Sequence, residues 1–352
     1  MTAQYDVLNT DLRTGTVLDH LPVTGISYTE TLNQAGAATV GIPLNCPQAN
    51  PSRLFAGGSG LVVLRDGQPI WGGILWALAA DLAAGTLSLS ASGYHSHYKG
   101  RHFTSGTTVT NTDIADCLKL WLNVANGVGT DTSGLKATGR TRTRSWTRSE
   151  LKSVAEAVEG LADDIGGFNF RYVPYWVDPG KRIGNRFTIS DRSGTALGHV
   201  LEHRLNCNVT QVTYDSTALA TTASALGADN GAGEKLVGVA TNTELSSRIP
   251  TKRIVETYSD IKETQTLIRK AQATVNSGSA PVAIPSLTLY PGWTPQDFNP
   301  GDYCAVRVDA GYVQLLDDFV VTERSTTVDT NGGESISLTL ANRGLFSNAN
   351  PS

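Results

Sequence analysis

Two stretches of the chain, residues 55–93 and 298–344, run through the same succession of elements. The first reads FAGGSGLVVLRDGQPIWGGILWALAADLAAGTLSLSASG: an apolar strand over 61–65, an Asp66-Gly67 turn, a long strand from Pro69, a loop and an alternating strand. Asp-Gly between two apolar runs predicts a hairpin, because both central residues of the favoured tight turn need positive φ. In TLSLSA, Leu87, Leu89 and Ala91 share one face and Thr86, Ser88 and Ser90 the other, the period of a half-buried antiparallel strand. The second stretch repeats this order with a strand over 303–308, an Asp309-Ala310-Gly311 turn, a long strand over 312–324 and a polar loop. It closes on SISLTLANRG, where Ile336, Leu338 and Leu340 oppose Ser335, Ser337 and Thr339. Residue identity is low, so two unrelated meanders and one β-domain used twice both remain open. Duplication predicts that the meanders superpose strand for strand, with Leu87 and Leu89 over Ile336 and Leu338. Ile70, Trp71, Ile74 and Trp76 are apolar on both faces of the first long strand, which predicts cover on both sides.

A chain of 352 residues exceeds the size of one core, so two to four domains are expected. Charged residues are 17%, below the ~25% usual for soluble domains. A surface of small polar residues suits a subunit that buries much of itself against neighbours. The net charge of −4 argues against strong nucleic-acid binding. Cys46, Cys117, Cys207 and Cys304 lie far apart with no CxxC, as in a protein assembled in a reducing cytoplasm. MTAQYDVLNTD has neither a basic nor an apolar leader region, and the longest apolar run, 69–80, falls short of the ~20 residues that span a bilayer. The expectation is a protein made inside a cell without an export signal and without stable membrane insertion.

Residues 1–103 read as a first β-domain. Strands over 5–8, 16–21, 26–32 and 38–43 join the first meander to make a small barrel or sandwich. Residues 104–204 read as an α/β domain. Thr112 is placed as the cap of a helix with Ile114, Cys117, Leu118, Trp121 and Ala125 on one stripe. Ser149 is placed as the cap of a second, with Leu151, Val154, Ala155, Val158, Leu161 and Ala162 inward and Gly166-Gly167 as its stop. Strands follow over 168–173 and 186–190. A second β-domain occupies 205–232 and 280–345, interrupted by a helical segment over 233–279. There Ser259 begins a helix with Ile261, Thr264, Gln265, Ile268, Ala271 and Val275 spaced for one face. Residues 346–352 form a tail.

Tyr94-His95-Ser96-His97 with His102 is the best metal candidate, since His95 and His97 share a face if the segment is a strand. No carboxylate or cysteine is close in sequence and Lys99 and Arg101 interleave, so no metal site is assigned. His199 and His203, four apart, carry less still. Arg140, Arg142 and Arg144 share one side if extended, with Arg148 beyond. Phosphate or DNA contact is one reading; a solvated loop or an acidic neighbouring subunit is the favoured one. The pairs Asp163-Asp164 and Asp317-Asp318 cannot act as acid and base, because adjacent residues on a strand point to opposite faces. GxSxG, P-loop, HExxH and GxGxxG motifs are all missing. Neither a catalytic residue nor a cofactor is expected.

A β-domain, an α/β domain and a second β-domain with an insertion, in that order, resemble the tail hub (baseplate hub) proteins of long-tailed phages and related contractile injection machines. More narrowly, the chain is similar to the hub-type minor tail proteins of actinobacterial phages. The residues that carry this are TVGIPL, LVVLRDGQPIWGGIL, LSLSASGYHSHYKGR, the Phe298-Asn299-Pro300-Gly301-Asp302 turn, and the alternating strand before Arg343-Gly344. The resemblance covers nearly the whole chain and rests on order and spacing.

It implies a mainly β fold with α+β parts: two similar small antiparallel, tail-tube-like β-barrels, an α/β domain between them, and a helical insertion in the second barrel. It implies a homotrimer at the virion's tail tip, assembled in the host cytoplasm and adapting six-fold rings to a three-fold tip. Three chains with two similar β-domains each present six similar edges, matching a hexameric ring. The implied partners are a distal tail protein or tail-tube hexamer, the tape-measure protein, a central tip or fibre protein, and DNA in transient passage without sequence-specific binding. Many relatives carry a peptidase or lysozyme-like extension. This sequence ends at Ser352, so that activity is expected to be absent here or carried by another protein. The alternative function is a tail-associated cell-wall hydrolase or glycan-binding module, marked by aromatics clustered over convergent carboxylates. Trp71, Trp76, Trp121, Trp146, Trp176 and Trp293 are instead scattered.

Overall fold

The protein is described by a computed structural model over residues 3–164, 166–229, 233–258, 261 and 263–344. Its first region contains β1 (Tyr5–Asp11), β2 (Val17–Leu21), β3 (Gly25–Thr31), β4 (Ala37–Pro43), β5 (Ser59–Arg65), β6 (Gln68–Asp81) and β7 (Thr86–Gly93). The middle carries α1 (His95–Lys99), β8 (Thr107–Asp113), α2 (Ile114–Val124), β9 (Thr130–Asp131), β10 (Thr141–Trp146), α3 (Val154–Asp163), β11 (Phe168–Asp178) and β12 (Arg182–Asp191). Next come β13 (Ala196–Glu202), β14 (Cys207–Asp215), β15 (Thr222–Asp229), β16 (Lys235–Thr241), α4 (Thr243–Arg248), β17 (Arg253–Thr257) and α5 (Thr264–Ser277). The last strands are β18 (Val282–Leu289), β19 (Tyr303–Ala310), β20 (Val313–Val328) and β21 (Glu334–Asn342).

The Asp66-Gly67 turn forms as the sequence predicts, with φ of 50° and 75° at its two residues and Arg65 paired to Gln68. The second turn lies later than expected. Ala310 pairs with Val313, so the loop is Gly311-Tyr312, with Gly311 at φ 59°. Asp309 and Ala310 belong to the ladder, because the apolar alternation of β19 runs on past Val308 and glycine takes the left-handed position.

In chain order β3, β4, β5, β6, β7 the first meander pairs as β5-β6-β7-β4-β3; in chain order β14, β18, β19, β20, β21 the second pairs as β19-β20-β21-β18-β14. All these pairings are antiparallel. A bulge marks the same place in each. Trp76 is the extra residue between Leu75 and Ala77 on β6, and Thr322 the extra residue between Val321 and Glu323 on β20. Beyond the bulges one row of residues runs Ser27, Thr39, Ser90, Ala77 in the first set and Gln211, Ser286, Thr339, Glu323 in the second. That register sets Leu89 and Leu87 equivalent to Leu338 and Ile336, the correspondence expected from sequence. Leu89, Leu338 and Ile336 are buried, and Leu87 packs at the edge of the first core.

The two β regions are joined in one sheet of thirteen strands. The joint is β3 against the far half of β20, with Glu323 opposite Thr31 and Val328 opposite Ile26. Apolar cores lie under each set: Val7, Tyr28, Val40, Leu61, Trp71 and Leu89 in one, and Phe298, Val306, Phe319, Val321, Leu338 and Leu340 in the other. Cover on the first long strand stops at the bulge. Trp71, Ile74 and Leu75 are buried, whereas every residue from Trp76 to Asp81 is exposed, against the expectation of cover throughout. Within β6, a Cβ on Gly72 would meet the Tyr94 ring at 2.9 Å and one on Gly73 the Ser92 carbonyl oxygen at 2.4 Å, so the double glycine lets Tyr94 and the following strand, β7, close in.

The α/β region corrects two caps. Asp113, not Thr112, caps α2 through a 2.8 Å bond from the Ala115 N–H, and Thr112 lies in β8. Ser153, not Ser149, caps α3 through the Glu156 N–H. Residues 148–150 form a short 3₁₀ turn closed by Thr147 and Glu150, which leaves Leu151 in a left-handed conformation and 53% exposed. Ile114, Cys117, Leu118 and Trp121 do meet Val154, Ala155, Val158, Leu161 and Ala162 in one core, while Ala125 is the α2 C-cap at its margin. Of the predicted helix stop, Gly166 takes φ 67° after the C-cap residue Asp164.

The segment expected to be helical is more mixed. Strands β16 and β17 flank β15 in a small sheet on which α5 packs through Leu267, Ala271 and Val275. Thr264 and Gln265, expected inward, are exposed, and Leu267 holds the central inward position instead. The predicted start at Ser259 lies outside the described residues. The fold is mainly β with few helices, one large and predominantly antiparallel sheet and small additional sheets. Among the described residues no helix is long and apolar enough to cross a membrane.

Candidate functional site

The seam between the two β sets gathers the charged groups that sequence reasoning missed. Arg324, buried on β20, stands opposite Glu30 on β3 and donates to its carboxylate and to the Pro295 and Phe298 carbonyls. Arg171 on β11 reaches the other Glu30 oxygen at 3.3 Å, so the middle region grips the seam as well. Burial lowers the pKa of both guanidinium groups from the usual arginine value. Nearby, Arg65 forks onto Glu334 at 2.7 and 3.2 Å, and the Tyr5 hydroxyl donates to the same carboxylate. Burial pushes the Glu334 pKa up, but the bonds from Arg65 and Tyr5 outweigh it and hold the group below its usual value. These charges join strands hundreds of residues apart, so spacing along the chain carries no trace of them.

The histidines do not assemble as a strand face. His95 and His97 sit on α1 and their side chains diverge. His95, fully buried, places Nε2 2.9 Å from Glu159 of α3 and Nδ1 3.2 Å from the Tyr172 hydroxyl of β11. A carboxylate therefore does reach His95, from a distant helix that sequence proximity could not reveal. The trio ties α1, α3 and β11 together. His97 bonds the Ala125 carbonyl at 3.1 Å, and burial lowers its pKa below the ordinary histidine value. His102 makes a bridge to Ser153. His199 packs on Trp293 and Phe298, while the His203 Nδ1 accepts from the Val209 N–H. Among the described residues no three His, Cys, Asp or Glu side chains converge as a metal site.

The arginine run lies along β10, where Arg142 and Arg144 both turn onto Asp164. Arg140 donates to the Gly166 and Gly167 carbonyls and lies 3.7 Å from Asp191. The acidic partner is in the same chain, which neither sequence reading placed there. Asp163-Asp164 ends α3; Asp317 accepts from Asn342 and Asp318 pairs with Arg343. Trp71 and Trp121 are buried, Trp146 stacks on Phe103, and Trp176 donates to the Gly67 carbonyl. Trp76 is 47% exposed and bonds Ser96. Burial pushes the Cys207 thiol up to about 11 and the Cys304 thiol up to about 12, so both act as small core groups.

Neither a family model nor a curated protein sequence matches the chain. Solved structures match over its full length. The tail protein from Neisseria meningitidis MC58 superposes with a TM-score of 0.67 over 99% of both chains at 16% identity. The 43 kDa tail protein of prophage MuSo2 from Shewanella oneidensis gives 0.66 over 98% of this chain and 99% of its own at 12% identity. Prophage tail protein gp18 from Listeria monocytogenes gives 0.57 over 96% and 94% at 15% identity. The chain thus has the fold of phage and prophage tail proteins. The hosts of these three lend the narrower actinobacterial resemblance no support.

Proposed function

We propose that the chain is a non-enzymatic structural subunit of a phage-type tail tip, a trimeric hub located in the virion and assembled in the host cytoplasm. One observation carries the reading: a five-strand antiparallel order occurs twice in the chain and the two sets join edge to edge in one sheet. Three such chains offer six quasi-equivalent units, as a six-fold tube or distal ring requires, while the remaining regions keep three-fold symmetry for a central tip. In this reading each five-strand set belongs to a small tail-tube-like barrel, one within residues 1–103 and one within 205–232 and 280–345, from which β15 departs to pair with β16 and β17. Residues 104–204 and 233–279 decorate the ring. The joined sheets wall a channel for DNA beside the tape-measure protein. Full-length likeness to tail proteins of three hosts supports the assignment at the level of fold.

Light scattering on the purified protein, together with symmetry averaging of tail tips, tests this. Three copies per tip are expected. Six copies under strict six-fold symmetry would overturn it.

A further inference from the structure

Strand β12, in the middle region, has an outer edge that is covered in sections. At its start the Ile183 N–H donates to the Gly15 carbonyl and the Val17 N–H to the Lys181 carbonyl. Next, β9 pairs parallel with Asn185 and Arg186. From Phe187 to Asp191, β12 keeps β11 on its inner side, and among the described residues no strand lies on the other. Backbone groups of successive residues point to alternate edges of a strand, and the β12 register runs unbroken from Ile183 to Asp191. Ile183 faces outward, so Ile189 does too, with its N–H and C=O toward the open edge.

The chain leaves this edge at a turn. Past β9 the Asp131 carboxylate accepts from the Ser133 N–H at 2.9 Å, and the Leu135 N–H donates to the Thr132 carbonyl. Leu135 then enters the core that holds Phe187. Between residues 134–140 and the open stretch of β12 this leaves a cleft of about 430 Å³. Three cations line it, Lys136, Arg140 and Arg186, against one carboxylate, Asp191. Two of them are held in place. Arg140 donates to the Gly166 and Gly167 carbonyls, and Arg186 lies over the Tyr175 ring, 3.4 Å from Asp131. Lys136 is exposed, and among the described residues no acid pairs with it. Between Arg186 and Asp191 the strand reads Phe, Thr, Ile, Ser, with none of the lysine or proline that blunts an edge against pairing.

We propose that the cleft takes an extended acidic segment of another protein, which adds to the open edge of β12 in the place that β9 leaves. Edge and charge together select this ligand. A phosphodiester accepts from the cations and from the Ile189 N–H, yet it offers no donor to the Ile189 carbonyl. An added strand offers both donor and acceptor. The pleat sets its sequence pattern. Residues on the face of Phe187 and Ile189 meet Leu135 at the margin of the core and should be apolar. Residues on the face of Arg186 should be Asp or Glu. The site lies within residues 130–191 of one chain and does not depend on the hub reading.

The test is fluorescence anisotropy of the full chain with dye-labelled hexapeptides that alternate Glu with Val, Thr, Leu or Tyr. Saturable binding is expected. Lys136→Glu, at an exposed position, should weaken it about tenfold and admit the matching Lys hexapeptides instead. N-methylation of alternate peptide amides should abolish binding in one register and spare it in the other, since only one set donates to the edge. Ile189→Pro removes the same pairing from the protein side, with thermal melting to check the fold, and the methylated peptides decide the matter if that variant does not fold. Binding indifferent to methylation in both registers would mark a site for anions alone and overturn the strand addition. Peptides that fail to bind, or that bind Lys136→Glu undiminished, overturn the proposal. So does a loss of self-association in Lys136→Glu, which would give the edge to a second copy of this chain.

Discussion

The far halves of β6 and β20 hold the same place in a repeated strand order, yet one is bare and the other is sandwiched. On β20 the residues alternate Glu323, Arg324, Ser325, Thr326, with Arg324 and Thr326 buried. On β6 they read Ala77, Leu78, Ala79, Ala80 and all are exposed. The polar version is the covered one. A permanently buried edge can hold a charge if its counter-charge comes from a neighbouring strand of the same chain, because the partner is always present. An edge with no such neighbour has no counter-charge to hold, and small apolar groups there need no counter-ion and lose little side-chain entropy. The same topological position thus carries different chemistry where a second strand of the chain covers it and where, among the described residues, none does.

The contrast can be broken most severely at Arg324. Arg324→Ala should cost about 3 kcal/mol, the low end for breaking a buried pair, because Glu30 keeps its bond from Arg171. Leu78→Ala should cost under ~0.5 kcal/mol in the isolated monomer, as for exposed positions generally. Urea denaturation of both variants checks this, and equal losses would remove the distinction between covered and open edges.

The equivalence of the two sets is sharpened at Leu89 and Leu338, 0% and 1% exposed. Truncating either to Ala should cost roughly 2–5 kcal/mol, with the two values close, since each leaves a cavity at the same place in the repeat. A difference larger than the smaller of the two costs would mean that the sets fold as unlike environments.

Smaller effects are expected at the turns. Gly67 and Gly311 lie at φ 75° and 59°, and a Cβ on either meets nothing within 4 Å. Alanine at either should therefore cost only the backbone penalty, about 1–2 kcal/mol, seen as a matched fall in Tm. The smallest effect concerns pH. Glu334 has a folded pKa held below its unfolded value of 4.5, so its contribution is full above about pH 4.5 and is lost as the pH falls through the folded value. Glu334→Gln should flatten the acid limb of a Tm-against-pH curve while leaving the slope above pH 6 unchanged. An unaltered acid limb would show that Tyr5 and Arg65 do not tie the seam through this carboxylate.

Much of the β pattern was legible in the residues. Alternation in TLSLSA and SISLTLA, the Asp-Gly turn and the long apolar strands are local signals, since side-chain period and turn φ depend on nearest neighbours. The duplication was legible for the same reason, with strands and loops in matching order. The mis-set caps at Thr112 and Ser149 arose where several Ser, Thr and Asp residues compete within a few positions. Tertiary packing chose Asp113 because its carboxylate also accepts from the Thr138 and Gly139 N–H groups. The charged seam was not legible at all. Glu30 with Arg324, Tyr5 and Arg65 with Glu334, and His95 with Glu159 are brought together by strand pairing and helix docking across long loops. Sequence distance holds no record of which edge meets which. Whether an edge ends bare or covered is a property of the assembled sheet, and nothing in ALAAD or in VTYD states it until both strands have found their neighbours.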